Sequence, residues 1–219
     1  MRCSLNEIDS QLRKAARGAG LPWGLAEEAG KAARWLEMHG IACLPVFAAL
    51  FERNDGRNYD EIAIMPAEGL WRAKGGTLCP LITGAALVDR AEEIAAGRTV
   101  ELEVVAWPVL LVPFAAAAAK ATGSGIALAW PGVQFSFEDR LVVRSNATLD
   151  VTKMASVPHA SCGRLVGRAQ GKIVKPEIAS TVVDESVWAR LDVFVERTYV
   201  PASEESRLKG AGAGLLDTD

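Results

Sequence analysis

The spacing of apolar residues changes partway along the chain, and this change restricts the fold more than any other feature. From Leu5 to Leu36 apolar positions recur at helical intervals: Leu5, Ile8, Leu12 and Ala15/Ala16, then Leu25, Ala29, Ala32/Ala33 and Leu36. Beyond Gly97 they alternate, with Val100, Leu102 and Val104 interleaved with Thr99, Glu101 and Glu103. A stripe of period 3.6 belongs to a helix buried on one face, and alternation of period two belongs to a half-buried strand. Helices come first, strands follow, and a helical pattern returns at Asp184–Thr198. That order predicts an α+β fold rather than a doubly wound sheet, in which strands and helices alternate throughout.

Local signals divide the chain further. Ser4 and Glu7 have capping-box spacing, so serine and glutamate can each satisfy the other's backbone amide. Gly18 and Gly20 suit a helix stop, and Pro22 suits a first turn. Together they predict a helical hairpin over 4–39, ended by His39-Gly40 and packed through Leu12, Leu25, Ala29 and Leu36. Glu27 and Lys31 form an i,i+4 pair on its second helix. Pro45–Arg53 reads as a third helix, Asn54–Asn58 as a loop, and Thr83–Ala96 as a helix ended by Gly97. Val109–Phe114, Ile126–Trp130, Val133–Phe137 and Leu141–Arg144 read as strands, with Glu138-Asp139 as a hairpin turn. Arg164–Arg168 and Lys172–Lys175 read as a further hairpin around Ala169–Gly171. A length of 219 residues suits a single domain, residues 1–219, with a helical subregion at 1–53, a mainly antiparallel sheet at 99–183 and a polar, Gly-rich tail at 202–219.

Charge narrows the function classes. With 24 basic and 27 acidic side chains the net charge is −3, which argues against a strongly basic nucleic-acid binder and gives no reason to expect binding to anionic membranes. The uncharged run Val104–Ala119 contains Pro108 and Pro113 and falls short of the ~20 apolar residues a spanning helix needs. It reads as buried strand and turn. Cys3, Cys43, Cys79 and Cys162 are scattered, no CxxC pair occurs, and no export signal is recognisable. The expectation is a cytoplasmic protein with buried thiols.

Two stretches are distinctive. One is Ser4-Leu5-Asn6-Glu7-Ile8 followed by Lys14–Gly30, which includes Arg17-Gly18-Ala19-Gly20-Leu21-Pro22-Trp23-Gly24. The other is Thr198-Tyr199-Val200-Pro201-Ala202-Ser203-Glu204-Glu205-Ser206-Arg207, running into Gly210–Gly214. Together they resemble an uncharacterised proteobacterial family filed as a domain of unknown function. The resemblance implies a cytosolic bacterial protein and carries over no activity, cofactor or catalytic residue.

Familiar motifs do not fit. In Gly18-x-Gly20 the third glycine of a dinucleotide loop would fall at 23, which is Trp23, and a helix rather than a strand precedes it. As a helix-turn-helix, residues 1–39 hold six basic and five acidic side chains, and Glu27 and Glu28 would face phosphates. His159 and Cys162 are near enough for a thiolate–histidine pair, yet Pro158 and Gly163 suggest a structural corner. No metal site and no cofactor are expected. What remains is a polar cluster at the Gly18–Glu28 turn and the unexplained tail. The candidate ligand-binding residues are therefore Arg17, Trp23, Glu27, Glu28, Tyr199, Ser203, Ser206, Arg207 and Gly212, with the tail expected to fold back onto the turn. The favoured reading is a protein that handles a small polar anion, as an enzyme or an accessory to one. The alternative is a non-catalytic interaction protein whose two ends form a subunit interface, in a homo-oligomer.

Overall fold

The computed structural model describes residues 1–65, 69–138, 141–145, 150–174 and 179–199. A short strand β1 (Arg2–Ser4) leads into α1 (Leu5–Gly18), and Ser4 caps it as its spacing requires. The Ser4 hydroxyl accepts from the Glu7 amide at 3.2 Å, and the Ser4 amide donates to the Glu7 carboxylate at 2.7 Å. Leu5, Ile8, Leu12, Ala15 and Ala16 form the buried stripe. Gly20, at φ +91°, makes the turn into α2 (Trp23–Met38). Pro22 stands at the N-cap, one position earlier than its first-turn expectation, where its ring-fixed φ of −57° leads the chain into the helix without a side-chain cap. Two helices follow, α3 (Leu44–Asn54) and the single turn α4 (Tyr59–Ile62).

After strand β2 (Leu70–Trp71), the expected Thr83–Ala96 helix is divided into α5 (Pro80–Asp89) and α6 (Ala91–Ala95) at Arg90. Strands β3 (Val100–Leu102) and β4 (Val105–Ala106) then precede the largest departure from expectation. Val109–Phe114 is not a strand. Pro108–Leu111 forms a 3₁₀ turn and Val112–Thr122 forms helix α7. Both prolines sit in the first turn of a helical segment, where a missing amide costs nothing, and the alanines that follow are the best helix formers.

Strands β5 (Ile126–Trp130), β6 (Val133–Phe137) and β7 (Leu141–Ser145) form the expected antiparallel run. Next come β8 (Ser156–Val157), β9 (Ala160–Arg164), β10 (Lys172–Val174) and β11 (Ser180–Val182). The seven-stranded sheet has the order β10-β7-β6-β5-β9-β3-β2, antiparallel except for the β2–β3 pair. The expected hairpin between 164–168 and 172–175 does not form: β9 lies between β5 and β3, while β10 pairs with β7. A buried central position satisfies both edges of β9, which a hairpin with exposed β10 would leave half open. The closing helix α8 (Glu185–Glu196) has Asp184 as its cap and Val187, Leu191, Phe194 and Val195 buried.

Helix α7 lies on β5 and β6, α6 lies on β9, and α2 packs on α5 and α7. Helix α1 is held between α2 and α8, so the first and last helices are neighbours. The two-stranded pairing of β1 with β11 joins the same ends a second time. Gly18 permits the helix contact, because a Cβ there would stand 1.7 Å from the Phe194 carbonyl oxygen. Gly30 plays the same part between α1 and α2, where a Cβ would meet the Asp9 carbonyl at 2.7 Å. The hairpin packs through Leu12, Ala29 and Leu36, all fully buried, whereas Leu25 is only partly buried at its edge.

Gly18→Ala is expected to destabilise the protein by more than about 2 kcal/mol in denaturant unfolding, since backbone must move to admit the methyl group. Gly24→Ala, at a helical position with open space around it, is expected to be neutral or to stabilise by up to about 1 kcal/mol. Equal losses at both positions would show that the α1–α8 contact does not constrain the fold.

Candidate functional site

The second half of α1 gathers cations that are held by aromatic rings. Lys14 and Arg17, three residues apart, share one helix face. The Arg17 guanidinium lies 4.7 Å from the centroid of the Trp23 ring, and the Lys14 ammonium lies 6.0 Å from that of Tyr199. Arg17 also donates to the Leu21 carbonyl, fastening the interhelical turn. Trp23 is 68% exposed and Tyr199 60% exposed. Tyr199 reaches this face because α8 ends beside α1, with its amide donating to the Glu196 carbonyl. Electrostatically, an aromatic face steadies a cation without cancelling its charge, as a carboxylate would. Arg13, Lys31, Arg190 and Arg197 are by contrast paired with Asp9, Glu28, Glu52 and Asp55. Neither Lys14 nor Arg17 has a carboxylate partner among the described residues. Their place in the last turns of α1 also suits the negative end of the helix dipole, so the fold tolerates their charge without a partner.

Bordering the same α1–α2 turn, a narrow cleft of about 50 Å³ runs between Gly20 and Leu21 and the α3–α4 connection. Its polar groups are Asn54, Arg57 and Tyr59. Asn54 is directed inward by its contact of 3.7 Å to the Cys79 sulfur. Burial, with Cys79 and Asp60 adding to it, raises the Tyr59 phenol above its ordinary range.

Of the residues expected from sequence, the structure brings Arg17 and Trp23 together and places Tyr199 on the adjoining Lys14. The two glutamates stand apart from this face in their chemistry. Glu28, rather than Glu27, takes Lys31, whose ammonium donates to its carboxylate at 2.7 Å, and that hydrogen bond raises the Lys31 pKa. Glu27 has no hydrogen-bond partner among the described residues. Arg34 donates to Asn6. Ser203, Ser206, Arg207 and Gly212, and with them the tail at 202–219, lie outside the described residues. Lys14 and the cleft residues Asn54, Arg57 and Tyr59 were not singled out from sequence. Lys14 was legible in its spacing from Arg17, but the cleft joins segments about 35 residues apart and had no local signal.

His159 and Cys162 do not form a nucleophilic pair. The His159 ring pairs with Glu101 at 2.9 Å, while Cys162 is fully buried on β9, between β5 and β3. Burial pushes its thiol up to about 12. Cys3, Cys43 and Cys79 are also free and buried. Among the described residues no three His, Cys, Asp or Glu side chains are grouped to hold a metal.

Cys162 is expected to stay unreactive toward a thiol reagent in the native protein at pH 9–10, reacting only after denaturation. Because its folded pKa is raised, the stability it contributes is complete below about 9, the unfolded value, and is lost as pH climbs toward 12. Rapid native-state labelling at pH 9 that maps to Cys162 would contradict this.

Residues 3–79 match the family described as "Protein of unknown function (DUF3726)". The match takes in the first of the two distinctive stretches and supports the resemblance seen there; the second lies beyond it. No curated protein matches the chain. Among solved structures, it is similar to malate dehydrogenase from Pyrococcus horikoshii OT3, at 10% identity and a TM-score of 0.48 over 70% of this chain and 53% of that one. It is also similar to malate dehydrogenase from Entamoeba histolytica, at 10% identity and a TM-score of 0.40 over 65% of this chain and 45% of that one. The chain thus spans about half the length of these structures, and likeness at this level implies neither fold nor activity for it.

Proposed function

We propose that the protein binds a small polar anion on the face formed by Lys14, Arg17, Trp23 and Tyr199 and the adjoining cleft at Arg57, as an enzyme or an accessory to one, in the bacterial cytoplasm. The observation that carries this reading is that Lys14 and Arg17 are held by aromatic rings rather than by carboxylates, so that their charge remains available to a ligand. Arg17 and Arg57 offer planar forks suited to carboxylate or phosphate oxygens. Asn54 and Tyr59 add neutral polar groups that can orient a ligand. Four buried, unpaired thiols suit a reducing compartment.

A second reading has its own support. Trp23 and Tyr199 are exposed side chains of the type that anchors protein interfaces, and they favour a homo-oligomer assembled through this face.

Thermal unfolding in the presence of inorganic phosphate, succinate and citrate tests the first reading. At least one anion is expected to raise the midpoint saturably, since a ligand at 100 times its Kd adds about 2.7 kcal/mol. Arg17→Gln is expected to abolish that rise while leaving the anion-free midpoint within a few degrees. No response to any of the three anions, or an undiminished response in R17Q, would refute it. Sedimentation separates the second reading: a dimer that dissociates on Trp23→Ala or Tyr199→Ala supports an interface, and a monomer at every concentration removes it.

A further inference from the structure

A second cavity lies away from this face, between the α2–α3 connection, β11 and the start of α8, with a volume of about 200 Å³. Its mouth is formed by exposed Ala42, Pro45 and Val182, the last 76% exposed, and Leu44 and Val187 supply buried apolar wall. Glu37, in the last turns of α2, lines the cavity while only 4% exposed. One of its oxygens, Oε1, accepts from the Cys43 amide at 2.7 Å. A carboxylate has room for about four hydrogen bonds, and no Lys, Arg or His among the described residues pairs with this one. Asp184 adds a second acid at the rim. Its Oδ1 accepts from the Ser186 amide and hydroxyl at 2.8 and 2.7 Å, which together with the chain's N-terminal ammonium keeps the carboxyl below its usual range and ionised. That ammonium donates to the Val183 carbonyl at 2.8 Å and pairs with Glu185 at 3.7 Å, so its contacts are not with Glu37.

We infer that this cavity is a binding site for a small alkylammonium compound, its cation paired with Glu37 and its hydrocarbon body against Leu44 and Val187. The sign of the ligand follows from the acids: a buried carboxylate without a countercharge is an unfavourable arrangement that a cation relieves and an anion worsens. The apolar wall calls for hydrocarbon beside the charge. The volume fixes the size, because an engineered apolar cavity of about 150 Å³ admits benzene, so this one takes a molecule of roughly five to eight heavy atoms. A bare metal ion is a poorer match, since it would leave the apolar wall unused and meets no three-ligand group among the described residues.

The site is independent of the anion-binding face, and its test uses different probes. The full chain is titrated with n-butylammonium chloride, with n-butanol and sodium butyrate as neutral and anionic counterparts of the same size, following ligand-observed NMR and the unfolding midpoint. Saturable binding is expected for the ammonium alone. Glu37→Gln keeps an acceptor for the Cys43 amide but removes the charge, and is expected to weaken binding at least about tenfold. Ala42→Trp, which narrows the mouth and leaves Glu37 in place, is expected to weaken it comparably and serves should E37Q fail to fold. Binding of butanol or butyrate as strong as that of the ammonium, no ammonium binding to the unaltered protein, or full binding in either folded variant overturns the assignment.

Discussion

The close approach of α1 and α8 at Gly18 organises much of this molecule. With the Phe194 carbonyl where a side chain would otherwise stand, the two helices come near enough for Gln11 to donate to Asp192 at 2.5 Å. The same approach brings Arg190 onto Glu52 and Arg197 onto Asp55 of α3 and its C-cap, each through two hydrogen bonds of 2.7–2.9 Å. These pairs are about half exposed, so they fix the angle of α8 more than they stabilise it. Tyr199 then emerges beside Lys14, and the cation-bearing face of α1 acquires its second ring. The Tyr199 half of the candidate site is thus a consequence of one glycine.

Much of the helical half was legible in the sequence. The capping box at Ser4, the stripe from Leu5 to Ala16, the third helix and the closing helix all carried signals within a few residues of one another, which is the range over which helical physics operates. Strands β5, β6 and β7 were legible for the same reason, being consecutive and antiparallel. What failed was non-local or doubly interpretable. Pro108 and Pro113 break a strand and begin a helix with equal ease, and it is the packing of Val112–Thr122 on β5 and β6, remote in sequence signal, that goes with the helix. The sequence of β9, Ala-Ser-Cys-Gly-Arg, holds a central position through neighbours on both sides and has little strand propensity of its own.

The sites divide along the same line. Arg17 and Trp23 are six residues apart across a turn, so their meeting followed from the hairpin. The ion pair of Lys31 shifted by one residue, to Glu28, because i,i+3 and i,i+4 partners are both within reach on a helix. The cavity at Glu37 had no signature at all. It takes its floor from residues 37–45 and its other wall from 181–187, and the second of these segments is held in place by the pairing of β11 with β1.

That pairing has a consequence for the order in which the molecule is made. Val182 is hydrogen-bonded in register with Arg2, and Gln11 meets a residue 181 positions later. Helices α1 and α2 are made well before α8 and can dock on each other at once, but the face of α1 that receives α8 stays bare until Asp192, 181 positions beyond Gln11, has been synthesised. Closing a loop of that length is entropically slow, and contacts so distant along the chain retard the folding of any domain that depends on them. The nascent protein therefore carries the α1 face around Gln11 and Gly18 uncovered through much of its synthesis.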